Sequence, residues 1–209
     1  MSSPAPLPSP FRSREDRSRE REAKREAVLL TAVRLFNERG FHASSLDDVA
    51  AALGVSKPTI YHYLGNKEQV LIECVTRGLE ALLEAADVSG QEPGNGLHRL
   101  RRFLRRYAEI IMDDFGRCVI RVGDESLSPQ GAAQFRARKK DIDLAMRRMI
   151  EAAIADGSMR PVNVRLTAFT LAGALNWPAR WQSASGPQQP GEIARDMVDL
   201  LIDGLGPAA

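Results

Sequence analysis

The chain has 209 residues, 44% of them hydrophobic, and its 29 basic and 27 acidic side chains leave a formal charge of +2. That length admits one compact domain or two small ones with ample apolar content for a core, and a charge so near balance gives no global field of the kind that advertises a nucleic-acid partner. No apolar run approaches a membrane span, and the N-terminus lacks the apolar core of a signal peptide, so a cytoplasmic protein is expected. Cys74 and Cys118 belong to no metal or redox spacing and are expected to be small buried hydrophobes.

Residues 1–11 are rich in Pro and Ser, and residues 1–21 are expected to form a disordered arm. Residues 12–26 alternate in charge. Arg12, Arg14, Arg17, Arg19, Arg21, Lys24 and Arg25 stand against Glu15, Asp16, Glu20, Glu22 and Glu26. Two readings stay open here. One is an extension of helix one that touches a DNA backbone or minor groove. The other is a solvated tail. Helix one is predicted over 19–39, with Val28, Leu29, Ala32, Leu35 and Phe36 as its buried stripe and Gly40 as its stop.

Residues 41–67, FHASSLDDVAAALGVSKPTIYHYLGNK, carry most of the information. Ser45 begins a short helix whose first turn holds Asp47 and Asp48, which suit the positive helix end. Val49, Ala50 and Leu53 give it an apolar face. Gly54 suits a tight turn that needs positive φ, and Val55 is expected to point back into the core. Ser56 is the expected N-cap of the next helix, with Lys57 and Pro58 in its first turn. Ile60 and Leu64 should pack inward, leaving Lys57, Thr59, His62 and Tyr63 outward with Tyr61 at the flank. Gly65 ends the helix. Asn66 and Gln69 make a capping-box-like pair for a helix four over 67–86, and Lys67 lies at its N-terminus, where free N–H groups favour a phosphate. Two short helices at this spacing, followed at once by a third, suit a helix-turn-helix that grips DNA. Within 22–82 there are seven basic and eight acidic residues. Any attraction to DNA therefore rests on the placement of charges and not on their sum.

Residues 87–96 are expected to be a loop, and 97–113 a helix with Leu97, Leu100, Phe103, Leu104, Tyr107 and Ile111 on its apolar side. Arg99, Arg101, Arg102, Arg105 and Arg106 crowd the rest of that helix. They are either a solvated face or a site for an anionic ligand group. A short helix or turn is predicted over 115–125. A long helix follows over 129–155, with Phe135, Ile142, Met146, Met149 and Ile150 inward. Helices over 162–183 and 190–204 close the chain, with Pro178 kinking or breaking the first just after Trp177. The composition and periodicities give an all-α fold.

The run REAVLLTAVRLFNERGF, then SSLDDVAAALGVSKPTIYHYL and NKEQVLIECV, resembles the N-terminal domain of TetR-family transcriptional regulators. KPTIYHY matches the recognition helix well. Leu64, where most members carry Phe, and Gly65, often a polar residue, depart from the pattern. The resemblance covers about residues 22–82 and implies a three-helix DNA-binding domain there, with its motif at 45–64. Residues 83–209 would then form a helical ligand-binding and dimerisation domain. It implies DNA contacts by Ser45, Lys57, Pro58, Thr59, Tyr61, His62, Tyr63 and Lys67 on a palindromic operator, read as double-stranded DNA by a homodimer paired through the last two helices. It also implies a pocket for a small-molecule effector, with Phe103, Tyr107, Ile111, Phe115, Met146, Met149, Ile150, Phe169 and Trp177 as candidate lining. NWPARW and the preceding GDESLSP look like a subgroup governing fatty-acid, acyl-CoA or steroid catabolism. In that case the arginine-rich helix could meet coenzyme A phosphates. The expected function is a repressor released by an apolar or acyl-CoA-like effector, without cofactor or metal. The alternatives are a helical protein-interaction module and, with only His42, His62 and His98 and no catalytic motif, an enzyme.

Overall fold

The computed structural model describes residues 14–183 and 186–204. Among them there is no strand, as the composition predicts. Ten α-helices follow in order: α1 (Arg14–Arg39), α2 (Leu46–Leu53), α3 (Lys57–Leu64), α4 (Lys67–Gln91), α5 (Gly96–Met112), α6 (Asp114–Arg121), α7 (Pro129–Ala155), α8 (Val164–Asn176), α9 (Pro178–Trp181) and α10 (Pro190–Asp203), with one 3₁₀ turn at Asp124–Ser126. None is long and apolar enough to cross a membrane.

The head is built by α1, α2 and α3. Leu29, Val33 and Phe36 of α1 are buried against Leu46 and Val49 of α2 and Ile60 and Leu64 of α3. Ser45 and Asp48 close a reciprocal capping box on α2, and Asn66 and Gln69 close another on α4. Gly54 supplies the turn between α2 and α3 at φ 64°, a conformation that costs a side chain-bearing residue more than glycine.

Several boundaries differ from the sequence reading. Helix α1 runs back to Arg14, so 14–21 are helical and only residues 1–13 of the expected arm lie outside the described residues. Pairs four apart, Glu15 with Arg19 and Glu20 with Lys24, support that extension. Helix α4 continues through Val88, Ser89 and Gly90 to Gln91, because Ala85, Ala86 and Ser89 are buried on its inner face. It stops where Pro93 disfavours a helical residue before it. Val55 is 41% exposed and does not enter the core. Its N–H closes the turn on the Ala50 carbonyl at 3.0 Å, which leaves the side chain outside. Ser56 stands at the N-cap of α3 without capping it, since its hydroxyl meets the Thr59 hydroxyl at 2.8 Å instead. As predicted, Pro178 separates α8 from α9.

The body packs around α4 and α5. Helix α4 contacts α5, α6 and α7, and α10 lies along α5. Gly78 lets α4 and α6 cross closely: a Cβ there would fall 2.7 Å from the Phe115 carbonyl oxygen. Short contacts join head to body. Arg34 Nε donates to Asp114 at 2.8 Å, Asn37 Nδ2 donates to the Asp114 carbonyl at 2.8 Å, and Arg121 donates to the carbonyls of Asn37 and Ala179. At the start of α4, Glu68 accepts the Ser128 N–H at 2.9 Å. Between α1 and α4, Glu73 accepts hydrogen bonds from both Arg25 and Arg77.

Candidate DNA-reading helix and effector cavity

Helix α3 offers two buried anchors and a broad outer face. Ile60 and Leu64 are buried, while Lys57, Pro58, His62 and Tyr61 are exposed, Tyr61 by 51%. A tyrosine left this open on an eight-residue helix has no packing role to explain it. Lys57 lies 2.5 Å from Asp47 of α2, a hydrogen bond that raises its pKa above the ordinary lysine value and keeps it cationic. Thr59 is half-buried and bonded to Ser56. Tyr63 is also half-buried. Its ring packs on the core and meets the His62 ring edge-on at 5.4 Å, so it is less outward than its spacing suggested. Ser45 is spoken for by the capping box: its hydroxyl donates to Asp48 at 2.7 Å and accepts the Asp48 N–H at 3.1 Å. Hydrogen bonds from Ser45, that of its side chain foremost, hold the Asp48 carboxyl below the usual carboxylate range. Lys67 starts α4 with its ammonium 4.3 Å from the centre of the Phe41 ring, beside the free N–H groups of the helix end.

The body holds a cavity of about 600 Å³ among α4, α5, α6, α7 and α8. Leu79 and Leu82 of α4 form one wall and Val119, Ile120 and Val122 a second. Ile142 and Met146 of α7 face Phe169, Ala172 and Asn176 of α8. Tyr107 closes the floor, its hydroxyl donating to Asn176 Oδ1 at 2.9 Å. Burial pushes the Tyr107 phenol up to about 12, against the opposing effect of that hydrogen bond, so it stays a neutral donor. Asp124, Lys139, Lys140 and Asp143 give the rim mixed charge. An apolar chamber with one internal polar pair and charged groups at the rim suits an amphipathic ligand.

Of the nine pocket candidates, Tyr107, Met146 and Phe169 line this cavity. Phe103, Ile111 and Ile150 do not: each is fully buried in the core between helices. Phe115 sits under the Arg77 guanidinium at the α4–α6 crossing. Met149 reaches toward Gly90 on another side of α4. Trp177 is 61% exposed on the outer surface, where the chain leaves α8 ahead of Pro178. The sequence reading missed the α4, α6 and rim residues, whose types are those of ordinary helix faces.

The arginines of α5 do not line this cavity. Arg101 pairs with Asp199 at 2.6 Å and with Asp203, Arg105 pairs with Asp199 at 2.8 Å, Arg102 with Glu92 at 3.0 Å and Arg106 with Glu109 at 3.0 Å. Arg101, Arg105 and Arg102 hold α10 and the α4 end onto α5. Both cysteines are buried, and burial drives their thiols upward, Cys118 to about 12.

The profile described as bacterial regulatory proteins, tetR family, matches residues 28–74, and the one described as tetracyclin repressor-like, C-terminal domain, matches residues 93–205. The chain belongs to the TetR family of transcriptional regulators. It is 32% identical to the TetR-family regulator PfmR from Thermus thermophilus, over 86% of this chain and 99% of that one, with a TM-score of 0.77. It is 27% identical to AibR, solved in complex with isovaleryl coenzyme A and operator DNA, over 87% of this chain and 99% of AibR, with a TM-score of 0.74. It is 26% identical over 160 residues to the HTH-type transcriptional activator FasR of Mycolicibacterium smegmatis, which covers 75% of this chain and 73% of FasR. In this TetR-family regulator the head is α1–α3 with the start of α4, and the cavity lies in the body that α4 enters.

Proposed function

We propose that this regulator is a cytoplasmic repressor that binds a palindromic operator as a homodimer and leaves it when an apolar or acyl-CoA-like effector fills the body cavity. One observation carries the reading. Helix α4 runs unbroken from Lys67, beside the recognition helix, to Leu79 and Leu82, which wall the cavity. A ligand that wedges this wall outward turns a rigid rod whose other end positions α3. The DNA contacts would be Lys57, Pro58, Thr59, Tyr61, His62, Tyr63 and Lys67, with Ser45 holding the head in shape. The complex of AibR, a relative of similar fold, with isovaleryl coenzyme A supports the acyl-thioester class. Pairing through α8 and α10 is supported by Leu166, Trp177 and Leu200, all large apolar side chains left exposed, and by the open space over Gly173 between them. Action by binding and not by catalysis is supported by the family match and by the transcriptional regulators among its relatives.

The test is fluorescence anisotropy of an operator duplex titrated with the protein, with and without acyl-CoAs of increasing chain length. An effective ligand should raise the operator Kd by roughly 5- to 150-fold, the range of a coupling of about 1–3 kcal/mol. An operator affinity that no acyl-CoA, fatty acid or steroid changes, together with calorimetry detecting none of them bound, overturns the effector reading.

A further inference from the structure

Helix α1 reaches well beyond the head core. Its first buried residue is Val28, fourteen positions after the helix begins at Arg14, so about 20 Å of helix precedes the core. The charges on that extension alternate in sequence but separate in space. At roughly 100° per residue, Arg14, Arg17, Arg21, Lys24 and Arg25 fall within an arc of about 100°. Glu15, Asp16, Glu22 and Glu26 lie on the remaining face, with Glu20 at the edge of the basic one.

The basic face is also the face that turns toward the head. Val28, on the same side of α1, is buried, and Arg25 is paired with Glu73 of α4. One to two turns further out, Arg17, Arg21, Lys24 and Glu20 line a groove of about 290 Å³ whose other wall is His62 and Tyr63 of α3. Lys24 lies 2.7 Å from Glu20. Arg14, Arg17 and Arg21 have no ion pair among the described residues, while Arg19, on the opposite face, faces Glu15 at 3.9 Å. The structure thus holds three guanidinium groups in a row, unpaired among the described residues and continuous with the exposed surface of the recognition helix.

We propose that this α1 extension is a second DNA-contacting element, in which Arg17 and Arg21, with Arg14 beyond them, grip the phosphate backbone flanking the groove read by α3. The inference rests on the DNA-binding reading of α3. Charge complementarity selects the occupant: arginine presents several N–H donors to phosphate oxygens, and a row about 10 Å long from Arg14 to Arg21 meets more than one phosphate. The contacts would be blind to sequence, since phosphates carry no base identity. They also account for a head of nearly balanced charge that binds a polyanion, because the helix sorts its cations to one side.

The experiment compares the full chain with R17A/R21A, R17K/R21K and R19A on an operator duplex and on a random duplex, over a salt series. Loss of two phosphate contacts should make the slope of log K against log salt shallower by about 1.8, which at 0.1 M salt corresponds to roughly 60-fold weaker binding. R17A/R21A should weaken both duplexes alike and so preserve their ratio. R17K/R21K should retain most of the slope, and R19A, which removes the same kind of charge from the other face, should change it little. An unchanged slope in R17A/R21A, or an equal loss in R19A, overturns the proposal. A wild-type chain that does not distinguish operator from random DNA would sink the reading of α3 itself. Specific wild-type binding with an unaltered R17A/R21A slope would sink the extension alone.

Discussion

Lys57 sits in an exposed ion pair with Asp47, so meeting DNA requires it only to exchange one anion for another. Among the described residues Tyr61 has no such partner to leave, and it is already presented at the surface. Both should therefore matter to operator binding and not to folding. We expect Tyr61→Ala and Lys57→Ala each to weaken operator binding about tenfold or more, on the scale of about 1–3 kcal/mol for a specific groove contact. The melting temperature should stay within about 2 °C of the parent, the small effect usual for surface substitutions. Anisotropy titrations check the first and circular dichroism the second, and unaltered operator affinity in both variants would remove α3 as the reader. Ser45 belongs to a different class. The structure gives its hydroxyl to the α2 capping box, so its loss acts on the shape of the head before any phosphate is involved.

Among the elements, α10 is held to α5 by charge as well as by burial. Ile193, Ala194 and Val198 are buried, and at the far end Asp199 and Asp203 accept hydrogen bonds from Arg101 and Arg105. The Arg105 guanidinium holds the Asp199 carboxyl below its usual range, and Arg101 does the same for Asp203. A carboxylate whose folded value is depressed contributes stability that is full above its unfolded value, about 3.9, and is lost as the pH falls through the folded value. The clasp should therefore be intact from pH 7 to pH 5 and fail progressively below about pH 4. Melting curves of the parent should show a falling Tm in that acid window. D199N/D203N should start lower at pH 7 and lose less on acidification. A double variant with the same acid-induced drop as the parent would show that this clasp does not contribute. Arg101 and Arg105 of α5, ambiguous in sequence between solvent and ligand, are assigned to this clasp by the carboxylates that the fold brings from nearly a hundred residues away.

For the whole molecule the question is how a cavity in the body reaches a helix in the head. Helix α4 is continuous between them, and Gly78 seats it directly on the α6 backbone. The contacts of α6 and its flanks with Asn37 and the head close a second path. Filling the cavity from within should mimic the effector. We expect Ala172→Phe, placed at the cavity wall, to weaken operator binding by roughly 5-fold or more without any ligand, since a ring in the cavity presses on the α4 wall as an effector would. It should abolish both calorimetric binding of acyl-CoA and its effect on DNA. A variant that still responds fully would move the effector site elsewhere.

The helix-turn-helix was legible in sequence because its information is local. Capping residues, a turn glycine and apolar spacing act over a few residues, and the chain folds there as those rules dictate. Val55 failed because the turn spends its N–H on Ala50, a backbone detail that composition does not carry. The cavity was only partly legible, since Phe103, Ile111 and Ile150 are as apolar as Tyr107, Met146 and Phe169, yet they are sealed between helices. Residue type and periodicity determined that helices form here with these inner faces. Which inner faces meet tightly and which leave a void was decided by how α4, α6, α7 and α8 cross, because close packing is a property of several helices at once and of no single stretch of chain.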